Sequence, residues 1–244
     1  MRRLASLLVA LLAVGSAAAA EPTVDEIVAR YVAARGGLKK IRAVETLRQT
    51  GSITSGAGRT ARAVRELKRP SRTRFEFTVQ GVTGVYVSDG RSGWQVSPFQ
   101  GQLQPAPLPE EAVADAAEQA DFEGPLVDWK AKGHKVELVG HAPVAGQDAF
   151  KLKMTLKSGT VRHEYVDVTT GRLVRSDTTR KVRGHAVATE TTFADFKKTG
   201  GVLFPRRIEV QAVGRPQRMT IVVDKVEVNP ALPDSRFQKP AGIP

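Results

Sequence analysis

The residues of this chain best able to do chemistry are four histidines, His134, His141, His163 and His185, and a scatter of acids that includes Asp89, Asp128, Asp167 and Glu190. A catalytic zinc needs three protein ligands, and acid/base catalysis needs carboxylates or imidazoles sharing a cleft. The spacing supports neither. His134 and His141 flank one expected strand seven positions apart, no His-x-x-x-His pair occurs, and there is no cysteine to complete a metal set. Asp89 and Asp167 stand in turn sequences, where an aspartate accepts hydrogen bonds from nearby backbone N–H groups. No glycine-rich loop follows a strand and opens a helix, and no nucleophile elbow is present. The expectation is a protein with no catalytic residue, no metal and no cofactor.

What the sequence has instead is apolar alternation with the period of a strand. Phe75, Phe77 and Val79 alternate with polar residues, as do Val85 and Val87, then Trp94 beyond an Asp89-Gly90 turn. Phe150, Leu152, Met154 and Leu156 alternate with Lys151, Lys153 and Thr155; Ile208 and Val210 alternate with Arg207, Glu209 and Gln211; Met219, Ile221 and Val223 complete the pattern. These fifteen side chains are the expected lining of one oily face.

Elements positioning that face can be read in order. Thr23 and Glu26 form a capping-box pair ahead of Val24, Ile27, Val28, Tyr31 and Val32, which share a helical face that ends at Gly36-Gly37. A further helical turn is expected over 38–43. Strands are expected over 46–54, 59–68, 72–80, 82–88 and 92–97, and again over 135–140, 149–157, 160–168, 172–182, 186–196, 202–213 and 217–228. Between the two sets lie Pro105, Pro107 and Pro109, an alanine-rich helix over 110–121, and a short helix after Gly124-Pro125 carrying Leu126, Val127 and Trp129. The fold class is mainly β with some α. A dozen antiparallel strands in meander order curl toward a barrel, giving a curved sheet, an incomplete half-barrel whose concave face the N-terminal and mid-chain helices cover. With 6% aromatic residues, the concavity is expected to be incompletely filled.

At 244 residues and 41% hydrophobic content, one domain over 21–244 is expected. Met1-Arg2-Arg3, the apolar run from Leu4 to Val14 and the small residues to Ala20 read as a cleaved secretory signal over 1–20. No cysteine is available for acylation, so a periplasmic protein without a lipid anchor is expected, and a monomer. The net charge of +12 is spread over strands. Arg59, Arg62, Arg65, Lys68, Arg69, Arg72 and Arg74 on the first hairpins, and Arg172, Arg175, Arg180, Lys181 and Arg183 on later ones, read as a solvated outer face. No nucleic-acid partner is expected, whereas transient contact with an anionic membrane surface is.

Lys68-Arg69-Pro70 before a strand, Val87-Ser88-Asp89-Gly90, Trp94, Pro98-Phe99 and the closing Phe237-Gln238-Lys239-Pro240-Ala241-Gly242 resemble the outer-membrane lipoprotein carrier family (LolA/LolB-like). Gly36-Gly37 and Gly124-Pro125-Leu126 resemble the broader lipoprotein-sorting relatives. The resemblance implies an incomplete antiparallel barrel with helices over an acyl-binding concavity, and a role for Arg69 in holding the lid shut. Leu126 and Trp129 are the accompanying lid candidates. Thr73 stands where the carriers have an aromatic residue three positions after the proline. The function implied is a carrier that moves lipoprotein or lipid acyl chains toward the outer membrane between inner- and outer-membrane transfer partners. A sensor of the same fold, binding lipid or peptide and reporting to a membrane partner, is the alternative.

Overall fold

A computed structural model describes residues 21–182 and 185–242. The expected signal segment, 1–20, and Arg183 lie outside them. The described chain opens with α1 (Val24–Arg35), capped as its sequence dictates: the Glu26 N–H donates to Thr23 Oγ1 at 3.3 Å, and the Glu26 carboxylate accepts from the Thr23 N–H at 2.7 Å. Gly36 ends the helix at φ 119°, pressed against the backbone of Gly201, where a Cβ has no room. α2 (Leu38–Arg42) leads into the sheet.

The first meander comprises β1 (Thr46–Thr54), β2 (Thr60–Lys68), β3 (Arg72–Val79), β4 (Val82–Ser88), β5 (Gly93–Ser97) and β6 (Gln102–Pro107). After α3 (Glu110–Ala120) come β7 (Lys135–Val144), β8 (Gln147–Thr155), β9 (Val161–Asp167), β10 (Leu173–Val182) and β11 (His185–Ala194). The last strands are β12 (Lys197–Thr199), β13 (Val202–Phe204), β14 (Arg207–Ala212) and β15 (Arg218–Val228). β12 and β13 pair only with each other, and the other thirteen form one antiparallel sheet in the order β6-β5-β4-β3-β2-β1-β15-β14-β11-β10-β9-β8-β7. The meanders join where β1 pairs with β15, Leu47 opposite Val228.

This order explains the cover. The sheet ends at β6 and β7, which are consecutive in sequence, so residues 108–134 must travel from one edge to the other across the mouth. Curvature follows from what α1 touches. Ile27, Val28 and Tyr31 pack with Phe150, Leu152 and Met154 of β8, while Val32 reaches the cluster of Leu47 in β1 and Leu67 in β2. Six spacings separate β8 from β1 in the sheet, about 29 Å if flat, whereas a helix with its side chains is about 10–12 Å across. The sheet therefore wraps around α1 without closing.

Three expectations are corrected. No helix follows Gly124-Pro125: residues 122–133 form successive turns, because Gly124, Asp128 and Gly133 take φ values of 84°, 52° and 74°, outside the helical region. The strand expected over 202–213 is two strands, since Pro205 has no N–H to give a ladder. Gln102–Pro107, read as proline-rich connection, is β6, an edge strand, the one place in a sheet that tolerates proline.

Candidate functional site

The inner face of the sheet is the one that meets α1, and strand registers carry that face around the curve. Phe193 of β11 lies opposite Ile208 of β14, which lies opposite Ile221 of β15, which lies opposite Ile53 of β1. The neighbouring row runs Val223, Gly51, Ala63, Phe77. Gly51 and Ala63 put almost no side chain onto the middle of the sheet, and a hollow results. One part of it is a cavity of about 210 Å³ lined by Tyr31, Leu47, Leu67, Phe122, Phe193, Phe204 and Ile208 among others. A recess of about 80 Å³ over Gly51 and Ala63 shares Gln49, Arg65 and Ile208 with it. A third space of about 450 Å³ under α3 shares Phe75 with the recess and Gln119 with the cavity. Together they trace one trough along the inner face.

The fifteen expected lining residues divide. Ile208 lines the cavity; Phe75, Ile221 and Val223 line the recess. Phe77 stacks near Phe75 and Tyr86 at ring separations of 5.9 and 6.2 Å, and Val79, Val210 and Met219 sit further along, toward the open end. Val85, Val87 and Trp94 do not belong to this face. A two-residue turn, Gln80-Gly81, sets Phe75 opposite Tyr86 and Phe77 opposite Gly84, so the odd-numbered residues of β4 point outward. There Val87 and Trp94 pack with Leu232 and Phe237 of the C-terminal segment. That segment is tied down by Arg236, which donates to the buried Glu66 at 2.9 Å, and by Lys68, which donates to Asp234 at 2.6 Å. Phe150, Leu152, Met154 and Leu156 face inward, but α1 and Leu126 and Val127 fill the space above them, with Leu152 and Met154 at 0% exposure. They are core and not cavity wall.

Arg69 reaches the crossing segment from the other side. Its guanidinium lies 2.5 Å from Glu123 Oε1, donates to the Val44 carbonyl at 2.8 Å, and sits 4.9 Å from the Phe122 ring centre. Arg35 donates to the carbonyls of Phe122, at 2.8 Å, and Glu123. Arg42 pairs with Asp128 and Lys130 with Asp25, each at 2.6 Å. Leu126 is buried in the core under α1, and Trp129 packs at its edge beneath Lys130. The cover is thus pinned along 122–130 by charged groups from α1, α2 and the β2–β3 turn.

Among the described residues no three His, Asp or Glu side chains could hold a metal. His141 Nδ1 is 2.7 Å from Asp148 Oδ2 on the β7–β8 hairpin, away from the trough. His134 and His163 have their pKa values lowered, in each case mainly by burial. Asp89 and Asp167 accept from backbone N–H groups of their own turns, those of Ser92 and Thr170, at 2.7 and 2.6 Å. Glu164 is fully buried on the inner face with its pKa raised by burial, against Arg162 at 2.5 Å.

The antiparallel order gathers the β1–β2, β3–β4, β5–β6, β8–β9 and β14–β15 turns at one end of the trough. Val82, Phe99, Leu103, Val161, Val213 and Met219 all lie at this end and are exposed, Phe99 by 46% and Val213 by 68%. Exposed Arg59, Lys157 and Arg215 lie in the same turns. Sequence alternation gave no hint of this rim, because it assembles only from the turns of distant hairpins.

No family model matches the chain, and no curated protein does. Solved structures do. A LolA superfamily protein from Nitrosomonas europaea superposes with a TM-score of 0.62 at 16% identity, over 90% of this chain and 99% of that one. A DUF1329 family protein from Desulfovibrio piger gives 0.62 at 15%, over 88% and 97%. A putative outer membrane lipoprotein-sorting protein domain from Vibrio parahaemolyticus gives 0.60 at 12%, over 88% and 97%. The fold is the LolA-like one, an open antiparallel sheet with a covered inner face. Among the described residues no helix is long and apolar enough to cross a membrane.

Proposed function

We propose that this chain is an exported, periplasmic lipid-binding protein, without catalytic activity, that holds acyl chains in the trough between the sheet and the cover and moves them toward the outer membrane. The trough carries the reading: its cavity is walled by Leu47, Leu67, Phe193, Phe204 and Ile208 and, at about 210 Å³, exceeds the roughly 150 Å³ apolar cavity that takes up benzene. The proteins it resembles in fold include a lipoprotein-sorting domain, which agrees with such cargo.

The physical case for a carrier is one of magnitude. Each methylene taken out of water is worth about 0.8 kcal/mol, so a sixteen-carbon chain crossing an aqueous compartment unaided costs on the order of 12 kcal/mol. An apolar trough removes most of that cost with non-directional contacts, which lets cargo leave again. The rim at the open end fits contact with an anionic bilayer: apolar side chains enter the interface while Arg59, Lys157 and Arg215 meet headgroup charge.

Native mass spectrometry of protein purified from membranes is expected to show an acylated species bound, and a fluorescent acyl probe is expected to bind in competition with it. Ile208→Glu puts a carboxylate into the cavity wall and is expected to lower probe affinity at least tenfold. Uniformly empty protein that ignores the probe refutes lipid binding. Bound probe that never moves between donor and acceptor vesicles favours a lipid sensor over a carrier.

A further inference from the structure

The outer-face reading of the basic residues fails at Arg65 and at Arg172, both of which line the inner cavity, and the failure at Arg65 is informative. Arg62 and Lys68 of β2 point outward, but Arg65 lies on the inner row, opposite Gln49 of β1 and Phe75 of β3. It lines both the cavity under the cover and the recess over Gly51 and Ala63, where those two spaces meet. Among the described residues it has no carboxylate partner; its one hydrogen bond runs from Nη2 to the Gln119 carbonyl at the end of α3, at 2.6 Å. Arg65 is half-buried, and burial lowers its pKa.

Two more arginines line the same cavity. Arg35 is spent on Tyr31 and two backbone carbonyls, and Arg172 rests 5.4 Å from the Phe196 ring. The acid in that wall, Asp121, is already neutralised by Lys132 at 2.5 Å. An apolar cavity is therefore bordered by guanidinium groups that, among the described residues, lack carboxylate partners. A guanidinium fork matches carboxylate or phosphate oxygens, which it holds through two parallel hydrogen bonds and opposite charge, whereas a single carbonyl offers neither.

Resting on the lipid-binding reading above, we propose that the ligand of this trough is an amphiphile with an anionic head, and that Arg65 binds the head's oxygens deep in the trough while the tail lies along the sheet toward the open rim. The ligand thus enters head first. An acyl chain presented by an uncharged head, such as an ester or an amide, leaves Arg65 with only its backbone carbonyl and binds more weakly.

The test uses the full mature chain and two fluorescent probes with the same tail, parinaric acid and its methyl ester, at pH 8. The acid is expected to bind at least tenfold tighter than the ester. Arg65→Met is expected to weaken the acid about tenfold and to change the ester less than twofold, whereas Arg65→Lys, which keeps the charge, retains a preference for the acid. Competition by palmitate or by palmitoyl lysophosphatidate tells carboxylate from phosphate, and displacement by either but not by monopalmitoyl glycerol supports the proposal. Equal affinity for acid and ester in the wild-type chain overturns it even if Arg65→Met does not fold, and leaves lipid binding intact. Binding of neither probe overturns both readings.

Discussion

Glu123 is a buried carboxylate through which the cover is tied to the sheet. It is 7% exposed and faces Arg69 at 2.5 Å, with Lys132 at 3.7 Å, so removing its charge leaves a guanidinium against the Phe122 ring with main-chain acceptors and the exposed Glu45 at 3.9 Å. Breaking a mostly buried pair from one side costs about 3–5 kcal/mol, and because Arg69 keeps some solvent contact we expect about 1–3 kcal/mol for Glu123→Ala in urea denaturation. A looser cover also speeds acyl-probe release, measurable by stopped-flow. Glu164 makes a pH-dependent contribution of defined sign. Its pKa is raised above the ordinary 4.5 by burial, so above that pH the unfolded chain has lost a proton that the folded chain still holds. Its contribution to stability is therefore complete below pH ~4.5 and declines as pH rises toward the folded-state value. Glu164→Gln is expected to flatten that decline, seen as a stability difference from wild type that shifts in favour of the variant between acid and neutral pH. A difference that is constant with pH contradicts the assignment.

At the scale of elements, the trough exists because small residues occupy the middle of the inner face. Ala63 is the tractable one, since a Cβ at Gly51 collides with the Val222 carbonyl, while Ala63 borders an empty recess. Ala63→Ile adds three carbons with strand-favouring geometry, so it is expected to retain or raise the melting temperature and to lower acyl-probe affinity several-fold. Unchanged affinity in a folded variant removes the recess from the binding site. The alternation of each strand was legible from sequence, and so were α1 and its cap, because period and capping chemistry are local. Which strand faces belong together was not. The faces of β3 and β4 depend on the parity of a two-residue turn, so Val87 and Trp94 reach the outer side beneath Phe237 although their pattern matches that of Phe75. Low aromatic content suggested an unfilled concavity, but its position depends on Gly51 lying opposite Ala63, a pairing that only the register supplies. The inward Arg65 was hidden for the same reason: in a run of alternating basic residues nothing local marks the one on the buried face.

The whole molecule is polarised along its strands. One end carries α1, α2 and the Arg69 turn, which clamp the cover; the other carries the hairpin turns where Phe99, Leu103, Val82 and Val213 are exposed beside basic residues. For the carrier proposed above, that second end offers cargo an apolar path, because the floor runs from Ile208 and Ile221 past Phe77, whose ring lies 5.3 Å from that of Phe99. Membrane contact at the rim makes two separable demands. Electrostatic attraction to anionic headgroups weakens with salt, since the Debye length falls from about 10 Å at 0.1 M to about 3 Å at 1 M, whereas apolar insertion does not. Sedimentation with vesicles containing phosphatidylglycerol is therefore expected to be strong at low salt and reduced at high salt, and weak throughout with phosphatidylcholine alone. Phe99→Asp with Val213→Asp is expected to reduce vesicle binding at both salt concentrations and to slow acyl-probe transfer to vesicles, while affinity for the soluble probe stays within twofold because neither residue lines the cavity. If the double variant transfers probe to vesicles as fast as the wild-type chain, cargo leaves by another route and the rim has no part in delivery.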